Sequence, residues 1–289
     1  MKIQQVILSI AALGLVVLLF VFGKTVQHKS DSGSNAPMMG IMQQQSAAMP
    51  AIELNDLMNK ANGTLPKVMQ DSVAQLNEDL TASKNEKEKI SLLKKLTGIW
   101  DRNGNIMASG VCFEQLAGIS NLESDLKEAA VRFSLSYNDV TDSLVRGFAV
   151  NHAINDYQQL LNMDSTNQDY KIGLALAYMD GAGNVMNGVS LLKEVELVNP
   201  DNIQMNLTLA RFGIMSGQFD KAITRLNKVI SLSNDNQVKA EAWYQLGEAY
   251  RATGKKDEAI KALENSKALM TNPDFKKQLD IYIQQIKNS

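Results

Sequence analysis

The sequence predicts an all-α chain: an apolar N-terminal span followed by paired helices stacked side by side into a solenoid. Three observations carry this reading. Only 5 of the 289 residues are proline, so long helices can run uninterrupted. A five-residue step from a glycine to a small residue recurs along the chain. The clearest pair of steps, at Gly188 and Ala222, lies 34 residues apart, a spacing typical of stacked helical hairpins.

The elements follow in chain order. Val6 to Gly23 is an 18-residue run without charge, and Ser9 is its one polar side chain. At about 1.5 Å per residue such a helix spans roughly 27 Å, close to the hydrocarbon thickness of a bilayer. Residues 1–23 therefore read as a transmembrane anchor. The competing reading is a cleaved signal peptide. Its apolar core would be shorter, about 7–15 residues, and a small-x-small cleavage site would follow it. Lys2 precedes the run and Lys24 and Lys29 follow it, which leaves orientation weakly signalled. Residues 24–50 are rich in Ser, Gly, Gln and Met without helical periodicity, and read as a flexible linker with a reach on the order of 28 Å. Met38, Met39, Met42 and Met49 are irregularly spaced with no His or Cys among them, so linker composition is a better account than a copper site. Residues 51–85 hold two helices, Ile52–Lys60 and Pro66–Ala82, that close the N-terminal end of the stack.

Residues 86–270 carry the repeats. The clearest unit begins at Ala242. Trp243, Leu246 and Tyr250 share one face of its first helix. Gly247 and Ala259 are small where two helices cross, and Gly254 supplies the turn between them. These residues match W-x2-L-G-x2-Y with the glycine and alanine at the following offsets, and the unit closely resembles a tetratricopeptide repeat.

The same step recurs from Gly217 to Ala222, from Gly183 to Gly188, and from Gly104 to Ser109 with Trp100 on the helix before it. Ala222 and Ala259 are 37 residues apart, which places about three extra residues near Ser233–Gln237. Between Ser109 and Gly188 one unit is poorly marked, with Asn138 in place of its turn glycine. It also carries 11 surplus residues, which predicts a long second helix over about Val140–Asn162. Five hairpins are thus expected from Glu86 to Met270. In the last segment, residues 271–289, Asn272-Pro273-Asp274 reads as a helix start, with Phe275, Leu279, Ile283 and Ile286 following. This is the capping helix a solenoid needs at its open end.

The chemistry of most enzyme classes is missing. The two histidines, His28 and His152, have no cysteine at metal-ligand spacing, and His152 reads as a structural residue. Cys112, the lone cysteine, lies between Val111 and Phe113 and reads as a small core residue. No P-loop, G-x-S-x-G or H-E-x-x-H is present, so no catalytic residue, metal or cofactor is expected. A net charge of −2 argues against a general nucleic-acid binder.

The resemblance implies a concave groove lined by the first helix of each unit. Its positions fall on Asp169, Ile172, Leu176 and Met179, then on Gln204, Leu207, Arg211 and Ile214, then on Glu241, Tyr244, Glu248 and Arg251. The family's Lys and Asn clamp for a terminal carboxylate is absent. The expected partner is therefore an amphipathic helix or extended protein segment with a few ionic contacts. The overall plan resembles bacterial membrane-anchored tetratricopeptide proteins. It implies an interaction scaffold or chaperone-like assembly factor on the inner membrane, with the repeats in the periplasm. The alternative is a cytoplasm-facing adaptor that recruits a soluble enzyme or a ribonucleoprotein.

Overall fold

The computed structural model describes residues 48–288. The expected anchor and all but the last three residues of the expected linker lie outside them. Among the described residues no helix is long and apolar enough to cross a membrane.

Thirteen α-helices and no strand make up the described chain. Two helices lead, α1 (Leu54–Gly63) and α2 (Lys67–Ala82), broken by Pro66. Five antiparallel hairpins follow: α3 (Glu86–Arg102) with α4 (Ile106–Ser120), α5 (Glu123–Asp139) with α6 (Ser143–Met163), α7 (Gln168–Leu176) with α8 (Val185–Val198), α9 (Ile203–Met215) with α10 (Phe219–Leu232), and α11 (Asn236–Ala252) with α12 (Lys256–Leu269). The closing helix α13 runs Pro273–Asn288.

Local chemistry sets these boundaries. Asn or Asp side chains cap the starts of eight helices. Asn85, for example, accepts from Lys87 N at 2.9 Å, and Asn272 accepts from Asp274 N at 2.9 Å at the start of α13. Four hairpin turns pass through Gly104, Gly183, Gly217 and Gly254, at φ of 72°, 69°, 76° and 76°, where an L side chain would be strained. The second hairpin has no such turn. Val140 to Asp142 are extended, and Asp142 caps α6 from its side chain. Asn138 therefore does not take the turn-glycine role; it belongs to α5. At 21 residues α6 is about two turns longer than the other second helices.

The core is a succession of apolar clusters, each shared by neighbouring hairpins, as nearest-neighbour stacking requires. Small residues let the helices approach. A Cβ on Gly247 would stand 2.7 Å from Leu263 Cγ, and one on Gly188 only 2.1 Å from Met179 Cγ. Ser109, Ala222 and Ala259 hold the equivalent positions and are fully buried. Trp100, Leu246 and Leu263 are also fully buried, whereas Trp243 and Tyr250 are only half-buried at the edge of their cluster. Cys112 is buried, and burial pushes its thiol up to about 12, consistent with an inert core residue.

The first described residues form an extended strap on α6. Asn151 accepts from Met49 N at 2.9 Å and donates to Met49 O at 2.7 Å, and Ile52 N donates to Leu144 O at 3.1 Å. Gly147 lies beneath the strap: a Cβ there would stand 1.9 Å from Pro50 O.

Candidate functional site

The strip marked by the repeat pattern begins on α11. Glu241, Tyr244, Glu248 and Arg251 recur at intervals of three and four, so they share one helix face, and each is exposed or half-exposed. On α9, Gln204 is exposed, and Arg211 and Ile214 are half-buried. On α7, Asp169 is exposed and Leu176 is half-buried.

Three expected lining residues need correction. Ile172, Met179 and Leu207 are buried. The first two belong to the cluster of Tyr170, Leu192 and Met205, and Leu207 packs with Ala222, Leu226 and Leu246. A first helix wedged between two hairpins buries two flanks, so a narrower strip stays open than the repeat offsets imply.

The open strip is polar at its middle. Both guanidinium ends of Arg211 donate to Asp180, at 2.9 and 2.6 Å. Asp180 lies in a π-helical turn, Ala177–Gly181, which follows directly on α7. Arg146 Nη2 donates to the Asp180 backbone carbonyl at 2.7 Å. Burial and then the nearby Asp180 carboxylate push the pKa of the Tyr137 hydroxyl behind them well above its usual value, which keeps it neutral. Farther along, Arg251 pairs with Glu248 at 3.1 Å, and the Tyr282 hydroxyl donates to the same carboxylate. Burial and Glu248 push Tyr282 up to about 12.

Glu241 differs from these carboxylates. It accepts from Gln245 Nε2 at 3.0 Å, and among the described residues no cation lies within ion-pair distance of it. Arg211 senses its charge but is engaged with Asp180.

The strip ends in an open cavity of about 870 Å³ between α11, the link after α12, and α13. Tyr244, Phe275 and Tyr282 are its aromatic walls, Met270 and Leu279 its aliphatic ones, and Glu241 stands among them. Phe275 is 58% exposed and Tyr244 40%, so both rings are open to a partner. The repeat pattern placed Glu241 and Tyr244 here but missed Phe275, Tyr282 and Asp180. The first two come from the capping helix, outside the repeat offsets. The signal for Asp180 was the acid next to Gly181 at the end of a first helix, facing an arginine on the next one.

A second polar cluster lies between α4 and α6. His152 Nδ1 is 2.8 Å from Glu114 Oε1, and its ring stacks on Phe148 with centroids 4.0 Å apart. Asp156, wholly buried one turn along, has no donor for either oxygen. Burial and the adjacent Glu114 push its carboxyl well above the usual range. Protonated, Asp156 is a neutral group that can donate toward the neighbouring Glu114 carboxylate, which is why burial beside that charge favours the acid form. Among the described residues no group of three His, Cys, Asp or Glu side chains could hold a metal ion.

Stacked antiparallel hairpins with an open strip on their first helices define a helical-repeat protein. Residues 214–277 match the family model described as tetratricopeptide repeat, and this stretch contains the Trp243 to Ala259 signature. Over that stretch the chain carries tetratricopeptide-repeat sequence. No curated protein matches it. Among solved structures it is similar to a thermophilic TPR protein of Thermus thermophilus, with 19% identity over 71% of this chain and 100% of that one, at a TM-score of 0.49. It is also similar to a tetratricopeptide repeat protein from Parabacteroides merdae, with 17% identity over 81% of this chain and 98% of that one, at 0.43. YrrB, described as a TPR protein with an unusual peptide-binding site, shares 11% identity over 73% of this chain and 97% of its own, at 0.44.

Proposed function

We infer that the chain is a protein-interaction scaffold that holds a protein or peptide segment along the first helices of hairpins three to five. The observation that carries this reading is the strip from Arg211 through Glu241 and Tyr244 into the α11–α13 cavity. It combines exposed rings with charge on a rigid repeat scaffold, which suits recognition. Binding without catalysis fits the same surface, because both of its arginines are engaged with carboxylates, in the Arg211–Asp180 and Arg251–Glu248 pairs.

The apolar run Val6–Gly23 supports a finer reading: the scaffold is tethered to a bacterial inner membrane and acts as a chaperone-like assembly factor on its periplasmic side. Two measurements test these statements. Capture of partners from solubilised membranes should weaken in Tyr244→Ala and persist in Lys193→Ala, a change on the exposed face of α8. Unchanged capture by Tyr244→Ala would count against the groove. For the tether, the full chain should sediment with membranes and the chain lacking residues 1–30 should not; equal solubility would contradict it.

A further inference from the structure

We propose that the cavity between α11 and α13 binds a cationic side chain, Lys or Arg, presented by an extended peptide with apolar flanking residues. This rests on the scaffold reading above and specifies the partner's chemistry.

Three observations support a cation. Tyr244, Phe275 and Tyr282 offer three aromatic rings to one space of about 870 Å³, and the faces of such rings attract a cation. Glu241 stands in the same lining as a carboxylate without an ion-pair partner among the described residues, and no Lys or Arg lines the cavity. Asp180 and Glu248 are already matched by Arg211 and Arg251, and Glu241 is the carboxylate of the cavity lining left to face an incoming charge. Arg211 contributes a positive field at Glu241, but both of its Nη atoms are held by Asp180.

Further observations support a peptide rather than a small cation. The cavity is open to solvent, and beyond its lining the same face of α11 runs on through Glu248 and Arg251, which suits an extended chain. Asn236, Gln237 and Gln278 in the lining supply amide donors and acceptors suited to a peptide backbone. Met270 and Leu279 supply apolar contact for neighbouring side chains.

The test uses the full chain in detergent and three labelled ten-residue peptides, blocked at both ends. They are identical except for a central Arg, Gln or Glu flanked by leucines. The Arg peptide should bind about tenfold more tightly than the Glu peptide. Glu241→Gln, which keeps the acceptor for Gln245, should remove most of that discrimination. Tyr244→Ala and Phe275→Ala should each weaken the Arg peptide about fivefold, the scale of a cation over a ring. All three residues are solvent-facing, so unchanged circular dichroism and melting would exclude loss of fold as the cause.

Equal binding of the three peptides would overturn the proposal. So would full competition by tetramethylammonium at concentrations where the Arg peptide gains nothing from its backbone, since the site would then serve a small cation. If no peptide binds while Tyr244→Ala still impairs partner capture, this inference fails and the scaffold reading stands. If neither effect is seen, both fail.

Discussion

Arg211 on the fourth hairpin holds Asp180 of the third through two donors, at 2.9 and 2.6 Å, so an ion pair bridges consecutive repeats on the open strip. The pair is partly solvent-exposed, which limits its strength. Arg211→Ala should destabilise the chain by about 1 kcal/mol, and a double-mutant cycle with Asp180→Ala should return a coupling of about 0.5–1 kcal/mol. Urea denaturation measures both. A coupling near zero would mean that the two side chains are held by their separate surroundings. One consequence is practical: weakened binding in Arg211→Ala would mix lost contact with a loosened repeat junction, so Tyr244 is the cleaner probe of the groove.

Gly188 and Gly247 occupy equivalent helix crossings with unequal room. A Cβ at Gly188 would meet Met179 Cγ at 2.1 Å and the Ala175 carbonyl at 2.7 Å, whereas at Gly247 the nearest backbone atom is 3.3 Å away. Helix propensity favours alanine by about 1 kcal/mol at both. Overpacking should outweigh that gain at Gly188, for a net cost of about 1–2 kcal/mol, and nearly cancel it at Gly247. Equal melting shifts for the two alanine variants would contradict this.

Asp156 should make stability fall as pH rises. Its folded-state pKa is raised, chiefly by burial and then by Glu114. Below about pH 4 both folded and unfolded chains carry the proton, and the full stability is present. Above it the unfolded chain releases the proton and the folded one keeps it, so stability declines by up to about 1.4 kcal/mol per pH unit until the raised value is passed. Glu114 faces the group from α4 and is itself paired with His152 of α6, and Tyr157 lies beside it. Asp156→Asn can still donate to Glu114 and should narrow the stability gap between pH 5 and pH 8 by more than about 1 kcal/mol. An unchanged gap would show that Asp156 is ionised in the fold.

The strap depends on a missing side chain. Gly147→Ala would place a Cβ 1.9 Å from Pro50 O, so the Met49–Ile52 segment should leave α6. Loss of the two Asn151 bonds should expose this segment to rapid proteolysis while the melting of the repeats changes little. Cleavage rates equal to wild type would mean that the strap tolerates displacement without release.

Much of the stack was legible because its determinants are local. Gly104, Gly183, Gly217 and Gly254 mark turns by a backbone geometry that few other residues adopt, and Asn272-Pro273 marks a helix start by its capping chemistry. The surplus residues before Gly188 correctly foretold a long α6. The site was harder to read. Ile172, Met179 and Leu207 sit at groove offsets yet face neighbouring hairpins, because burial depends on the angle between repeats, which no single-repeat pattern encodes. Phe275 and Tyr282 reach the cavity only because α13 packs on α12 and brings these rings to the side of α11, where Tyr282 meets Glu248. The Asn151 clamp on Met49 joins residues 102 positions apart and has no local signal.

The central claim, that a partner lies along the first helices, is tested most directly by photo-crosslinking in intact cells. A photoreactive residue would be placed singly at Tyr244, at Phe275, and at Lys193 and Lys261 on exposed faces of the second helices α8 and α12. The account predicts a discrete protein adduct from positions 244 and 275 and none from 193 or 261. An adduct from 193 or 261 with none from 244 and 275 would place the partner on the opposite face and contradict the account.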